Sequence, residues 1–178
     1  MERILISACL IGQPVRYNGT DKRSGAEAIL SRWQEEGRLV PICPELAAGL
    51  PVPRPPAEII AAPDKAGPHP DGADVLARRA ELRDVTGADL SDAFRRAADH
   101  AARLAARHGC RHAVLTDGSP SCGVTFIHDG TFTGRTVPGF GTTTAALRAA
   151  GLTVWPENRI AALDALLQAQ ISENPRKH

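Results

Sequence analysis

Four short apolar runs, separated by helix-patterned stretches and by Gly- and Pro-rich breaks, constrain the fold of this chain more than any other feature. They cover residues 3–8, 39–42, 112–116 and 152–155, each too short for a helix and of strand length. Between them, residues 24–36 place Ala28, Ile29 and Trp33 on one helical face and stop at Gly37. Residues 88–108 form a long Ala/Arg-rich helical stretch that packs Phe94 and Leu104 and stops at Gly109. Residues 139–150 read as a helix ended by Gly151, and residues 157–170 as a closing helix. This alternation predicts an α/β fold: one domain with a mostly parallel, Rossmann-like sheet and helices on both faces. Residues 44–56 are too proline-rich for either regular element and read as an ordered loop. Residues 63–72 read as a mobile surface excursion, and residues 126–132 as a small hairpin around Asp129-Gly130.

At 178 residues the chain is long enough to bury a core and short enough for one domain, placed at 1–171 with a flexible tail at 172–178. A formal charge of +1 argues against nucleic-acid or anionic-membrane binding. The chain has no apolar stretch of membrane-spanning length, and Met1-Glu2-Arg3 leads straight into the first strand without a signal-peptide core. The expected compartment is the reducing cytoplasm, where four cysteines need an explanation other than disulfides.

Three of those cysteines follow predicted strands. Cys9 comes after Ile4-Leu5-Ile6, Cys43 after residues 39–42, and Cys122 shortly after Ala113-Val114-Leu115. Parallel strands share one C-terminal edge, beyond which open α/β sheets bind ligands, so the three thiols should converge there. Cys110 precedes the third strand, and a strand of about five residues spans roughly 17 Å, which puts it at the other edge. One buried cysteine is commonly just a small hydrophobe; three at one edge suggest a soft metal site with a vacant position. A closed zinc site would want a fourth Cys or His, and His128 is the nearest candidate. Spacing alone leaves an iron–sulfur cluster and catalytic zinc both open.

The segments around the thiols carry a family resemblance. Cys9-Leu10-Ile11-Gly12 followed by Val15-Arg16-Tyr17-Asn18-Gly19, the run from Cys43-Pro44-Glu45 through Arg54-Pro55-Pro56-Ala57-Glu58-Ile59, and Ser119-Pro120-Ser121-Cys122-Gly123 match three motifs. Together they resemble a bacterial family, formerly a domain of unknown function, whose characterised members are thiouracil desulfidases. The resemblance spans nearly the entire chain. It implies a [4Fe-4S] cluster held by Cys9, Cys43 and Cys122, with a fourth iron open to the sulfur of a thiolated pyrimidine base, nucleoside or nucleotide. Water would replace that sulfur as oxygen and hydrosulfide would leave, with no redox partner required. A soft iron would select C=S over C=O.

The resemblance also implies that Glu45 does acid–base work and that Ser119 orients substrate or relays a proton. Ser121 is a second candidate for contact with substrate, although Ser-Pro-Ser is also ordinary turn chemistry. Arg16, Tyr17 and Asn18 could meet a pyrimidine edge or a phosphate, or simply build a turn on Asn18-Gly19. Arg54 and Glu58 read first as a structural ion pair. Gly141 and Thr142 open a helix whose N-terminus could take a phosphate, and simple capping explains them equally well. The chain departs from the family pattern at Asn18, at Ala48 and at Thr116-Asp117-Gly118, positions that bear on substrate preference. Two rival readings are a zinc or thiolate enzyme using the same three-Cys pocket and a non-catalytic metal-sensing module. A sensing module fits poorly with a chain that has no DNA-reading element.

Overall fold

The central strands are mostly apolar, as strands covered on both faces tend to be, with only Ser7 and His112 polar at their ends. In the computed structural model, which describes residues 2–22, 25–61 and 69–173, β1 (Ile4–Ser7) and β5 (His112–Leu115) are buried at every position. β2 (Leu39–Ile42) and β8 (Thr153–Pro156) flank them in a four-stranded parallel sheet of order β2-β1-β5-β8. Ile4 lies opposite both Leu39 and His112, and His112 opposite Thr153. Pro41 sits exposed within the edge strand β2, where a missing N–H costs little.

Helices cover both faces. On one side α1 (Glu27–Glu35) and α6 (Ile160–Glu173) bury Leu30, Trp33, Ile160, Leu163 and Leu167 against Ile4, Ile6 and Val114. On the other, α4 (Ser91–His108) and α5 (Thr142–Ala149) bury Ala101, Ala105 and Leu147 against Leu5, Ala113 and Leu115. The inner face of α4 runs Phe94, Ala97, Ala98, Ala101 and Ala105, a helical spacing of mostly small side chains that allows close approach. Gly109 ends α4 in the left-handed conformation, φ 65°.

Several elements differ from the sequence reading. Residues 44–56 are not wholly loop: α2 (Pro44–Ala47) makes one helical turn, with Pro44 at its first position, where proline lacks nothing the helix needs. An antiparallel pair, β3 (Ala57–Ala61) and β4 (Ala80–Asp84), was not anticipated and forms a second small sheet. The short α3 (Gly72–Leu76) precedes β4, and its Asp71 side chain forms a capping box with Asp74. The expected hairpin at 126–132 is wider: β6 (Phe126–His128) pairs with β7 (Thr136–Pro138), and Asp129 closes the loop by donating its N–H to Arg135 O at 3.1 Å. The last helix reaches Glu173, past the expected domain end at 171. Residues 63–68 of the expected mobile excursion and the final residues (174–178) lie outside the described residues.

Candidate metal centre

The strand order places β2 and β5 on opposite sides of β1, so a crevice opens beyond the C-terminal ends of these three strands. A cavity of about 470 Å³ occupies it, and Cys9, Cys43 and Cys122 all line its wall. Each thiol is presented by tight local structure. Cys9 sits in a 3-10 turn (Ala8–Ile11) that continues β1 and ends at Gly12, φ 87°. Its carbonyl accepts from Gly12 N at 3.3 Å and Lys22 N at 3.0 Å. Cys43 caps α2, and its Sγ lies 3.8 Å from Val15 O. Cys122 is held by its own N–H, which donates to Ser119 Oγ at 3.0 Å. Cys110 is buried in the core at the other edge of the sheet, against α4, and does not line the cavity.

The three thiols share one electrostatic environment. Burial pushes the Cys9 thiol up to about 11, and the neighbouring Cys43 adds to the rise. Burial raises Cys43 as well. Cys122 rises furthest, chiefly through burial; Cys9, Glu45 and Cys43 add to it, and a hydrogen bond from Ser7 opposes it. Thiols raised in this way require a cationic partner to hold them deprotonated. Among the described residues, no three His, Cys, Asp or Glu side chains are grouped to hold one metal ion. Cys9, Cys43 and Cys122 on one cavity wall are the residues that would hold a soft metal group there.

Glu45, one position inside α2, points into the same cavity. Arg54 Nε donates to its Oε2 at 2.7 Å, and Ser119 Oγ approaches its Oε1 at 3.5 Å. Burial raises the Glu45 carboxyl above the ordinary range, with the Arg54 charge and both hydrogen bonds opposing. The expected Arg54–Glu58 pair is not formed: Arg54 turns to Glu45, while its Nη1 donates to Pro51 O at 3.1 Å and its backbone N–H to Tyr17 O at 2.8 Å. Glu58 Oε2 instead accepts from Phe132 N at 3.0 Å.

Other sequence-derived candidates separate. Ser119, Arg16 and Tyr17 line the cavity. Asn18 does not; its Oδ1 accepts from Thr20 N and Thr20 Oγ1, which makes the turn. Ser121 is fully buried and bonded to Thr143 Oγ1 at 2.9 Å, away from the cavity. Gly141 and Thr142 also lie off it, and their amides are already committed: Gly141 N donates to Gly123 O and Thr142 N to Pro120 O. The start of α5 therefore receives the carbonyls of the Cys122 loop, which agrees with capping and leaves these amides unavailable to the phosphate that the sequence also allowed. A Cβ on Gly141 would stand 2.3 Å from Ser121 O, so only glycine permits this approach.

Sequence reasoning missed Asp117, which organises the Cys122 loop. Its Oδ1 accepts from Val124 N and Thr125 N, both at 2.7 Å, and its Oδ2 from Thr125 Oγ1 at 2.6 Å. Its own N–H donates to Glu157 Oε2 at 2.7 Å, and Glu157 also pairs with Lys22, joining the Cys9 and Cys122 segments. Asp117-Gly118 just after a strand was a readable turn signal.

The model of the 2-thiouracil desulfurase family matches residues 4–159. The chain belongs to that family. A desulfurase assignment makes it an enzyme, and sets aside a sensing module. A Bacillus subtilis (strain 168) relative, the uncharacterized protein YbbK, is 36% identical over 157 residues, covering 88% of this chain and 97% of its own. A solved structure of the [4Fe-4S]-dependent thiouracil desulfidase TudS (DUF523Vcz) superposes with a TM-score of 0.79 at 39% identity, covering 95% of this chain and 99% of that one. The desulfurase fold is thus shared along nearly the whole chain. Among the described residues, no helix is long and apolar enough to cross a membrane.

Proposed function

We propose that this desulfurase-family chain binds a [4Fe-4S] cluster through Cys9, Cys43 and Cys122 and replaces the sulfur of a thiolated pyrimidine with oxygen. The observation that carries the reading is the meeting of three thiols from three strand ends with one buried carboxylate in a single cavity. When bound, such a cluster supplies a soft Lewis acid that favours a thiocarbonyl over a carbonyl and needs no net electron transfer.

The chain's own residues handle the water. Glu45 takes a proton from it as general base, a role suited to a carboxylate lifted by burial toward working pH. Arg54 fixes one Glu45 oxygen and Ser119 approaches the other, so the carboxylate has a defined direction before substrate arrives. The oxygen of water forms the new C–O bond and the C–S bond breaks; the proton held by Glu45 leaves with the sulfur, and the second water proton is released as the new oxygen becomes the carbonyl. Water and thiouracil thus yield uracil and hydrogen sulfide with no change in oxidation state. Phe126 and Leu50 give the cavity apolar walls, which limits competing water.

Anaerobic turnover of 2-thiouracil by iron-reconstituted protein tests the reading. Uracil and hydrosulfide should appear in equal amounts; consumption of thiouracil without uracil would refute it.

A further inference from the structure

Resting on that proposed function, we infer that Glu58 is a positioning residue for substrate. Its buried carboxylate holds Phe132 in a left-handed backbone conformation, so that Phe132 forms part of the wall against which the pyrimidine lies. Both residues line the cavity that holds the three thiols, Glu58 from β3 and Phe132 from the loop between β6 and β7.

The backbone of Phe132 is the first observation. Its φ is 57°, in a region that a bulky side chain seldom enters. Among the described residues, Arg78 is the other non-glycine residue with positive φ. The same loop places glycine at its remaining positive-φ positions, Gly130 at 85° and Gly134 at 82°. Glycine would serve at 132 without strain, so the phenylalanine is accounted for by its side chain.

Glu58 supplies what holds the strain. It is only 6% exposed, and its Oε2 accepts from Phe132 N at 3.0 Å. A carboxylate acceptor makes this a strong bond. Arg83 stands opposite Glu58 in the β3–β4 register, yet it donates to Glu81 Oε2 and to Gly87 O, both at 2.8 Å. The Glu58 carboxylate thus serves the loop rather than its strand neighbour. The same loop presses on the next residue of β3: a Cβ on Gly130 would stand 2.6 Å from Ile59 O. Two successive residues of β3 therefore seat the loop, and the contact at Glu58 fixes the amide of Phe132 itself.

A wall fixed in advance acts on binding and not on the chemical step. Glu45, Arg54 and Ser119 make their mutual contacts without Glu58 or Phe132, so loss of the wall should raise KM and leave kcat nearly unchanged.

The test compares wild type, Glu58→Ala, Glu58→Gln, Phe132→Gly and the double variant Glu58→Ala with Phe132→Gly, each loaded with iron and checked for equal iron content. Uracil affinity is read by calorimetry, kcat and KM with 2-thiouracil, and loop order by hydrogen exchange over residues 129–135. Phe132→Gly and Glu58→Ala should each weaken uracil binding and raise KM about ten-fold with little change in kcat. Glu58→Ala should also speed exchange in the loop. Glu58→Gln, whose amide oxygen still accepts from Phe132 N, should recover most of the loss. The double variant separates positioning from support of the fold: a Glu58 that acts through Phe132 leaves KM where Phe132→Gly put it, whereas independent effects multiply. Multiplied effects would overturn the inference and leave the proposed function intact. Wild-type KM and uracil affinity in Phe132→Gly would do so too, even where Glu58→Ala does not fold. A loaded wild type that converts no 2-thiouracil would overturn the proposed function, and the inference with it.

Discussion

Nε of Arg54 stands 2.7 Å from Oε2 of Glu45, and both side chains are largely buried. The guanidinium opposes the rise that burial imposes on the carboxyl, and burial prevails, leaving Glu45 raised. Arg54 also ties the Cys9 and Cys43 segments together through Tyr17 O and Pro51 O.

This pairing gives a pH prediction. Glu45 acts as base only when deprotonated, and burial lifts its pKa, so activity should fall with acidification above the ordinary carboxylate range. Arg54→Gln removes the charge that holds the pKa down, and should move the acid limb of kcat/KM to higher pH. An unmoved limb would take Glu45 out of the titration. Glu45→Gln should retain iron and lose about 100-fold or more in kcat.

Cys9→Ser, Cys43→Ser and Cys122→Ser should each lose iron and activity together, because each removes one wall of the same cavity. Cys110→Ser should keep both, since Cys110 packs at the far edge of the sheet. Iron analysis of the four variants checks this, and loss of iron in Cys110→Ser would contradict the assignment of ligands.

Asp117→Ala deletes three hydrogen bonds that shape the loop carrying Ser119 and Cys122. At about 1 kcal/mol or more for each bond to a charged acceptor, the variant should lose about 3 kcal/mol of stability. It should also release iron faster than wild type under a chelator. Equal stability and iron retention would show that the loop holds itself.

Gly141→Ala forces a methyl against Ser121 C and O, at 2.4 and 2.3 Å, where backbone cannot yield easily. The start of α5 must then part from the Cys122 loop, at a cost of about 1–3 kcal/mol. Chemical denaturation should show that loss, and thermal melting of Gly139→Ala, whose nearest contact is Ile127 Cγ1 at 3.1 Å, should show a smaller one.

What sequence could reveal followed from period and punctuation. The parallel core was legible because β1 and β5 each hold a run of three apolar residues bounded by breaks, and three thiols fell after three such runs. The β3–β4 pair was passed over although Ala80–Asp84 alternates buried and half-buried positions, a pattern weakened by two small or short residues on its apolar face. Arg54 and Glu58 are close in sequence and opposite in charge, yet Glu58 lies in a strand that carries it to Phe132. Gly141 and Thr142 looked like an anion cradle because helix amides are invisible to sequence once another loop has claimed them. Asp117-Gly118 was readable as a turn, but the three groups that Asp117 binds are set by the loop's fold and not by spacing.

The most direct test of the central claim is iron and acid-labile sulfide per chain after purification without oxygen, read beside the visible spectrum. The account predicts about four of each with broad absorbance near the blue, as a three-cysteine cluster site requires. Zinc in place of iron, or a colourless protein that stays so after anaerobic reconstitution, would contradict it.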